Sequence, residues 1–232
     1  MRSHPNALML FAAGKGTRMG ALTATRPKPL IEVGGRALID HALDQVQAAG
    51  IGHIVINLHY LGDQIMSHLT GRQGLVYSDE SEALLETGGG LRQALPLLGT
   101  GPVFTLNTDA VWTGDIALCE LARAWRPEVM DGLLLLVAKD QATGHKGQGD
   151  FAMAADGALQ RGVDYIYTGA QIIRTDHLAS VAERAFSLNR IWDMMLAERR
   201  LFGIVHRGGW CDVGHPASIP LAEALLDKAK DV

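Results

Sequence analysis

The chain has 232 residues, of which 47% are hydrophobic and 20% charged, and its net charge of −4 with a pI near 6.1 argues against a nucleic-acid partner. This length suits one domain spanning residues 1–232. The first apolar stretch is too short for a signal peptide or a membrane span, and the two separated cysteines fit a reducing compartment, so we expect a cytoplasmic protein with no membrane partner.

Short apolar runs alternate with helical patterns along the first half of the chain, which is typical of βαβ units. Strands are predicted over residues 7–13, 53–58, 74–77 and 102–107, and helices over residues 38–49, 62–69, 91–98 and 116–125. The pattern predicts an α/β fold with a Rossmann-like, doubly wound and mostly parallel sheet.

The second half changes character at residues 141–162, where Gly, Gln and small residues predict loops and a short hairpin, and where the sheet is expected to become mixed. The remaining predictions are strands over residues 132–138, 166–173 and 201–206, and helices over residues 177–182, 191–198 and 219–230.

A glycine-containing loop, Gly14-Lys15-Gly16-Thr17-Arg18, follows the first strand. Its exposed amides can cradle phosphate oxygens, and its two cations can neutralise a bound triphosphate. The spacing matches neither the Walker A loop nor the dinucleotide fingerprint, because Met19 replaces the third glycine. On spacing alone, a phosphate-binding loop and a purely structural glycine turn are equally compatible with the segment.

Lys28 stands between two prolines in the segment RPKPL. The prolines stiffen the backbone and would hold the lysine in a fixed place. Taken alone, the segment is also compatible with a solvated lysine in a proline-rich turn.

Two aspartates follow predicted strands. Asp109 comes just after the strand over residues 102–107, where open α/β sheets bind ligands, and Asp212 lies among the glycines of GGWCDVG. Mg²⁺ prefers oxygen ligands and takes one or two carboxylates together with substrate phosphates, so the pair fits Mg²⁺ better than zinc or calcium. Either aspartate alone is also compatible with a turn-capping role.

The run LETGGG is predicted to precede a helix and to let backbone amides approach a flat ligand such as a base. His145, His206 and His215 show no metal-binding spacing and are predicted to be surface or loop residues.

Six segments of the chain, taken in order, resemble the sugar-1-phosphate nucleotidyltransferase family: LFAAGKGTRM, RPKPL, LETGGG, NTDA, YTGAQI and WCDVG. With its compact length and the tripeptide GDF, the chain is most similar to the short N-acetylmuramate-1-phosphate uridylyltransferases of bacterial cell-wall (peptidoglycan) recycling. The resemblance implies a GT-A-like fold.

The same resemblance implies roles for individual residues. Ala12, Ala13 and Gly14 would lie near the nucleoside, and Lys15, Gly16, Thr17 and Arg18 on the triphosphate. Lys28 would contact phosphate, Thr87, Gly88 and Gly89 would line the nucleotide, and Asp109 and Asp212 would hold Mg²⁺. Asp150, Gly169 and Asn189 are weaker candidates for sugar contacts. Thr108 departs from the family, whose members usually carry glycine before the metal-binding aspartate.

The expected activity is transfer of a nucleoside monophosphate from an NTP, with UTP favoured, to a sugar 1-phosphate. The phosphate nucleophile is already ionised at neutral pH, so no protein base is required. Two alternatives stay open: a guanylyl- or thymidylyltransferase for mannose, heptose or glucose 1-phosphate, and a catalytically idle nucleotide-binding regulator. The sequence leaves the oligomeric state open.

Overall fold

A nine-stranded mixed sheet organises the chain in a computed structural model that describes residues 3–230. The strands of these residues are β1 (Ala7–Phe11), β2 (Glu32–Val33), β3 (Arg36–Ala37), β4 (His53–Leu58), β5 (Leu75–Asp79), β6 (Val103–Asn107), β7 (Ala110–Trp112), β8 (Gly132–Ala138), β9 (Ala142–Thr143), β10 (Phe151–Met153), β11 (Leu159–Arg161), β12 (Tyr165–Ile173), β13 (Leu201–Val205) and β14 (Trp210–Asp212). The α-helices are α1 (Leu38–Ala48), α2 (Gly62–His68), α3 (Glu86–Leu98), α4 (Ala117–Ala124), α5 (Asn189–Ala197) and α6 (Ile219–Lys230).

The main path through the sheet runs β5-β4-β1-β6-β12-β8-β13. Strand β12 is antiparallel to both β6 and β8, whereas the other neighbouring pairs on this path are parallel. The β10–β11 hairpin joins the start of β12, within the segment 141–162 for which a hairpin was predicted. The predicted mixed, doubly wound sheet is therefore confirmed.

Both faces of the sheet are buried, as the all-apolar strand β1 shows. Leu8 and Leu10 point into one core cluster with side chains of α1, α2 and α4, whereas Ala7 and Met9 point into a second cluster with α3 and α5. Successive strand residues face opposite sides, so a strand buried on both faces is apolar throughout. A site on this sheet must therefore lie at the strand ends.

A second, three-stranded sheet, in the order β7-β14-β9, lies beside the carboxyl end of β6 and was not predicted. Its strands are only two or three residues long, too short to show a periodic pattern. Asp212 pairs with Ala110 in this sheet, and the Val213 amide donates a hydrogen bond of 2.8 Å to the Asp109 carbonyl. The pairing brings the segments that contain Asp109 and Asp212, about a hundred residues apart in sequence, next to each other at the carboxyl end of β6.

Helix α3 begins at Glu86, five residues before its predicted start at residue 91, so the prediction that LETGGG precedes the helix is wrong. The glycines at positions 88–90 form its first turns and are buried. The helix predicted over residues 177–182 is a short 3₁₀ segment, Asp176–Ser180. In the part of the chain described, no helix has both the length and the apolar character needed to span a bilayer.

Candidate active site

Lys28 forms a buried ion pair with Asp109, with 2.8 Å between Nζ and Oδ2. The lysine is 9% exposed and lies in a one-turn 3₁₀ segment, Lys28–Leu30, that Pro27 precedes with extended backbone. Asp109 follows the end of β6 after one residue, Thr108. The structure therefore excludes the solvated-lysine interpretation of RPKPL and places the cation against one of the two predicted metal ligands.

Asp212 lies in the same charged group. Burial raises the pKa of its carboxyl above the usual range, and the negative charge of Asp109 raises it further, whereas the basic residues Lys28, His145 and Arg18 lower it. A raised pKa is the expected sign for a partly buried acid beside a second acid. Asp109 and Asp212 therefore lie close enough for the charge of Asp109 to act on the Asp212 carboxyl.

His145 was predicted to be an ordinary loop residue, yet its Nδ1 lies 3.6 Å from Oδ2 of Asp212. Gly144 explains the close approach of this loop, because a Cβ there would lie 2.4 Å from the Asp212 carbonyl oxygen. The histidine is half-buried and packs near Trp210. No spacing signal pointed to it, since the contact depends on the unpredicted small sheet.

The glycine loop lies against Lys28. Gly16 has a positive φ of 64°, and a Cβ at this position would lie 2.8 Å from the Lys28 Cβ, so glycine is required on both grounds. Lys15, Thr17 and Arg18 are exposed, and Thr17 begins a 3₁₀ helix. Within residues 3–230 neither cation has a hydrogen bond or ion pair to protein, so both are available to an anionic ligand.

A cleft of about 230 Å³ adjoins the Lys28–Asp109 pair. Ala12, Ala13, Gly14 and Thr87, all predicted nucleotide contacts, line it. The remaining lining residues are Phe11, Lys28, Pro29, Asn57, Glu80, Leu84, Glu86, Asn107, Thr108 and Asp109. Predicted nucleoside and phosphate residues therefore meet in one space.

A buried hydrogen-bond network holds the back of this first cleft. The Ala12 amide donates to Asn57 Oδ1 at 2.8 Å, and Asn57 Nδ2 donates to Glu80 Oε1 at 2.7 Å. The other Glu80 oxygen accepts from the Leu85 amide at 3.1 Å. Burial raises the pKa of Glu80, and these two donors oppose the shift. The network ties the end of β1 to the start of α3.

A second cleft of about 250 Å³ shares three lining residues with the first, namely Phe11, Thr87 and Asn107. Asp150 and Asn189, two of the predicted sugar contacts, line it. Its other lining residues are Tyr167, Ser187, Leu188 and Trp192. The two clefts are therefore adjacent, as a nucleotide subsite and a sugar subsite have to be.

Gly169, the third predicted sugar contact, does not line the second cleft but supports it. It has a φ of 91°, and a Cβ there would lie 2.8 Å from the Cβ of Asn107, which lines both clefts. Asp150 is fixed from behind, because its Oδ2 accepts a 2.9 Å hydrogen bond from the Tyr167 amide. Burial raises the pKa of the Tyr167 hydroxyl, which keeps that group neutral.

Gly88 and Gly89 do not line either cleft, contrary to the expectation from the resemblance. Both amides donate to the Phe186 carbonyl oxygen, at 2.8 and 3.0 Å. A Cβ on Gly88 would lie 2.4 Å from the Phe186 ring, and one on Gly89 would lie 2.5 Å from the Arg184 carbonyl oxygen. These glycines allow close helix packing, and only Thr87 of this trio faces the ligand space.

His206 and Thr108 both make hydrogen bonds that the sequence did not predict. His206 is not a surface residue: its ring is buried, with Nδ1 2.5 Å from Glu120 Oε2 and Nε2 3.1 Å from the Thr113 carbonyl oxygen. Thr108, the departure from the family pattern, donates a 2.8 Å hydrogen bond to the Phe11 carbonyl oxygen. The threonine therefore fastens the Asp109 loop to the end of β1.

Sequence reasoning did not single out the buried polar residues Asn57 and Glu80, nor Phe11, Asn107 and Trp192 on the cleft walls. Asn57 and Asn107 do carry a signal, since each is a polar residue at or next to the carboxyl end of a mostly apolar strand. Trp192 had none, because its place depends on how α5 packs on the sheet.

A larger cavity of about 740 Å³ lies between α4, β13 and the β10–β11 turn. It contains none of the predicted site residues. Its three arginines, Arg123, Arg126 and Arg207, are balanced by the three acids Asp115, Glu120 and Asp156. We therefore place the candidate active site at the two smaller clefts, beside the Lys28–Asp109 ion pair.

Comparisons with known proteins show which family the chain belongs to. N-acetylmuramate alpha-1-phosphate uridylyltransferase from Caulobacter vibrioides is 39% identical to this chain, and the match covers 99% of this chain and the whole of that enzyme. The enzyme of the same name from Neisseria meningitidis is 34% identical, and the match covers 94% of this chain and 96% of that enzyme. The solved structure of HddC from Yersinia pseudotuberculosis, in complex with GMP-PN, superposes with a TM-score of 0.73 over 94% of this chain and 98% of the HddC chain. The sequence identity is 17%, so the likeness shows a common fold. The model of the MobA-like NTP transferase domain matches residues 8–216, and the chain belongs to that nucleotidyltransferase family.

Proposed function

We propose that the chain transfers UMP from UTP to N-acetylmuramate α-1-phosphate, yielding UDP-N-acetylmuramate and pyrophosphate. The observation that carries the proposal is the convergence of Lys28, Asp109 and Asp212 beside two adjacent clefts. One cleft suits a nucleotide and the other a sugar, and the charged group lies where their phosphates would meet.

The donor set fits Mg²⁺. Asp109 and Asp212 offer carboxylate oxygens, and burial together with the charge of Asp109 raises the pKa of Asp212, a penalty that a bound cation would relieve. Asp109 and Asp212 would hold the ion, which when bound supplies charge stabilisation to the phosphate oxygens. The chain's own cations, Lys28 and the exposed Lys15 and Arg18, add to that stabilisation.

The reaction forms one bond and breaks one. A phosphate oxygen of the sugar 1-phosphate attacks the α-phosphorus of UTP, and the bond from that phosphorus to the β-phosphate bridging oxygen breaks to release pyrophosphate. The second pKa of a phosphate monoester is about 6, so the nucleophile carries its charge without a protein base. The work left to the protein is alignment and charge neutralisation.

The basic residues divide this work by position. Lys28 is held rigidly by its prolines and by Asp109, so it presents a preorganised charge to the developing negative charge at the first cleft. Lys15 and Arg18 are exposed and, within residues 3–230, have no hydrogen bond or ion pair to protein, so they can contact the β- and γ-phosphates of an incoming nucleotide. Their side chains can then stay with the pyrophosphate as it leaves.

The choice of UTP and N-acetylmuramate α-1-phosphate rests on the two relatives at 39% and 34% identity, whose names state that sugar and uridylyl transfer. The guanine-nucleotide alternative has weaker support, since mannose-1-phosphate guanyltransferases of three fungi are 26% to 28% identical over 90% of this chain, less than the two uridylyltransferases. A UDP-sugar-forming enzyme of this kind would act in the cytoplasm, in recycling of cell-wall sugar.

A pyrophosphate-release assay over a matrix of UTP, GTP and dTTP with N-acetylmuramate, mannose and glucose 1-phosphates tests the proposal. UTP with N-acetylmuramate α-1-phosphate should give the highest kcat/KM. A tenfold advantage for GTP with mannose 1-phosphate, equivalent to about 1.4 kcal/mol, would make the chain a guanylyltransferase. No pyrophosphate from any pair would favour a nucleotide-binding regulator.

A further inference from the structure

The second cleft lacks a group that its proposed sugar requires. N-acetylmuramate differs from N-acetylglucosamine by a lactyl ether that ends in a carboxylate, so a specific site needs a cation near the sugar. The described lining of this cleft contains one acid, Asp150, and no basic side chain. The charge must come from its rim.

Arg161 lies at that rim. Its Nη2 donates to the Asn189 carbonyl oxygen at 3.4 Å, and its Cζ lies 5.9 Å from the centre of the Trp192 ring. Both Asn189 and Trp192 line the cleft. The strand pairing explains the placement, because Arg161 is opposite Phe151 and its guanidinium lies 5.0 Å over that ring.

Protein contacts hold the guanidinium in place, but they use only some of its N–H donors. Nε and Nη2 both contact a single oxygen of Asp193, at 3.0 and 2.7 Å, and among residues 3–230 Nη1 has no hydrogen-bond partner. The pair is exposed, with 41% of the arginine and 61% of the aspartate side chain open to solvent. Exposed pairs contribute little to stability, so a ligand can replace Asp193 at low cost.

We infer that Arg161 binds the lactyl carboxylate of N-acetylmuramate 1-phosphate and thereby selects this sugar over neutral N-acetylhexosamines. The inference rests on the proposed function and deepens it. A planar guanidinium fixed on two aromatic rings presents parallel N–H donors that match a carboxylate, which a lysine in the same place would not. The arginine touches a part of the substrate remote from the reacting phosphates, so it sets specificity.

The test compares two sugar substrates that differ only in the lactyl group, N-acetylmuramate 1-phosphate and N-acetylglucosamine 1-phosphate, with UTP. Arg161→Gln should lower kcat/KM for the first by about ten- to a hundredfold, as for a lost charged hydrogen bond, and change it less than twofold for the second. Arg190→Gln is the matched control: this exposed arginine next to Asn189 pairs with Glu183 and should change neither.

The Asp193→Asn variant distinguishes direct binding of the lactyl carboxylate by Arg161 from an indirect effect of the Arg161–Asp193 ion pair. If Arg161 acts only through its ion pair, this variant will reproduce the loss seen in Arg161→Gln; under direct recognition it keeps wild-type preference or strengthens it. Equal loss on both sugars in Arg161→Gln, or no loss on either, overturns the inference while leaving uridylyl transfer intact. Wild-type protein that does not turn over N-acetylmuramate 1-phosphate refutes the proposed function itself.

Discussion

The ammonium of Lys28 lies 2.8 Å from Oδ2 of Asp109, across 81 positions of the chain, at the meeting point of the glycine loop and the carboxyl end of β6. A lysine that is 9% exposed must be paired, because an isolated buried charge is costly. The pair therefore fixes the proposed phosphate-binding cation and the proposed metal ligand before any ligand binds, which is the preorganisation that charge-based catalysis needs.

Replacing the lysine tests its role. Lys28→Ala should reduce kcat/KM by about ten- to a hundredfold, through lost charge-assisted contacts worth roughly 1.5 to 3 kcal/mol. Lys139→Ala, which removes an exposed lysine outside both clefts, is the control and should have wild-type kinetics. A loss below twofold in Lys28→Ala, with the fold intact, would make the ion pair a structural contact.

The exposed Arg18 offers a test of the glycine loop. Arg18→Ala should weaken productive use of the NTP, mainly by raising its KM, because the side chain meets phosphates without belonging to the core. The melting temperature should stay unchanged. Arg123→Ala on α4 serves as the control, and steady-state kinetics with a thermal melt decide the matter. Unchanged kinetics in a well-folded Arg18→Ala protein would return the loop to a structural glycine turn.

The raised pKa of Asp212 has a consequence for stability without metal. Between the usual Asp pKa and the raised pKa of folded Asp212, the folded protein keeps a proton that the unfolded chain has lost. The free energy of unfolding therefore falls as pH rises through this range. Asp212→Asn removes the penalty. In EDTA, the variant should melt above wild type at neutral pH, and the difference should vanish below the usual Asp pKa.

Added Mg²⁺ should raise the wild-type melting temperature and close that gap, because a ligand that binds the folded state stabilises it. Thermal melts at several pH values, with and without Mg²⁺, measure both effects. A variant that is less stable than wild type at neutral pH in EDTA would contradict the proposed repulsion between Asp109 and Asp212.

The packing role of the LETGGG glycines is measurable as stability. In Gly88→Ala the new Cβ would lie 2.4 Å from the Phe186 ring, and such overpacking costs typically about 1 to 3 kcal/mol. Gly52→Ala is the control, since a Cβ there meets nothing within 4 Å and the backbone is not left-handed. Denaturant titration compares the two. Equal stability of both variants with wild type would show that the helix moves aside easily.

The sequence predicted most of the main sheet because its long apolar strands and amphipathic helices carry strong periodic signals. β4, β8 and α6 have the predicted bounds. It could not predict β7, β9 and β14, since strands of two or three residues form only where tertiary packing places their partners. The start of α3 was missed because three glycines are unfavourable in a helix by propensity, and here packing against Phe186 overrides that preference.

The candidate site shows the same division. Residues at strand ends and in stiff loops, such as Asp109 and Lys28, were predicted from local pattern together with the family resemblance. His145 and Arg161 were not, because the position of each depends on tertiary contacts. His145 lies against Asp212 through the small sheet, and Arg161, in the local β10–β11 hairpin, reaches the second cleft only where α5 packs beside it. Gly88 and Gly89 were given a ligand role by resemblance, whereas the structure uses the absence of their side chains for packing.

We propose that Asp109 and Asp212 hold one metal ion, and the sharpest test is a double-mutant cycle on turnover of UTP with N-acetylmuramate 1-phosphate. Each single change to Asn should cost on the order of 3 to 4 kcal/mol, or hundreds-fold in rate, with the fold preserved and partial rescue at high Mg²⁺. The double variant should be little slower than either single variant, because residues that act as a unit are non-additive. Additive losses, or an Asp212→Asn enzyme fully active at limiting Mg²⁺, would contradict the shared site.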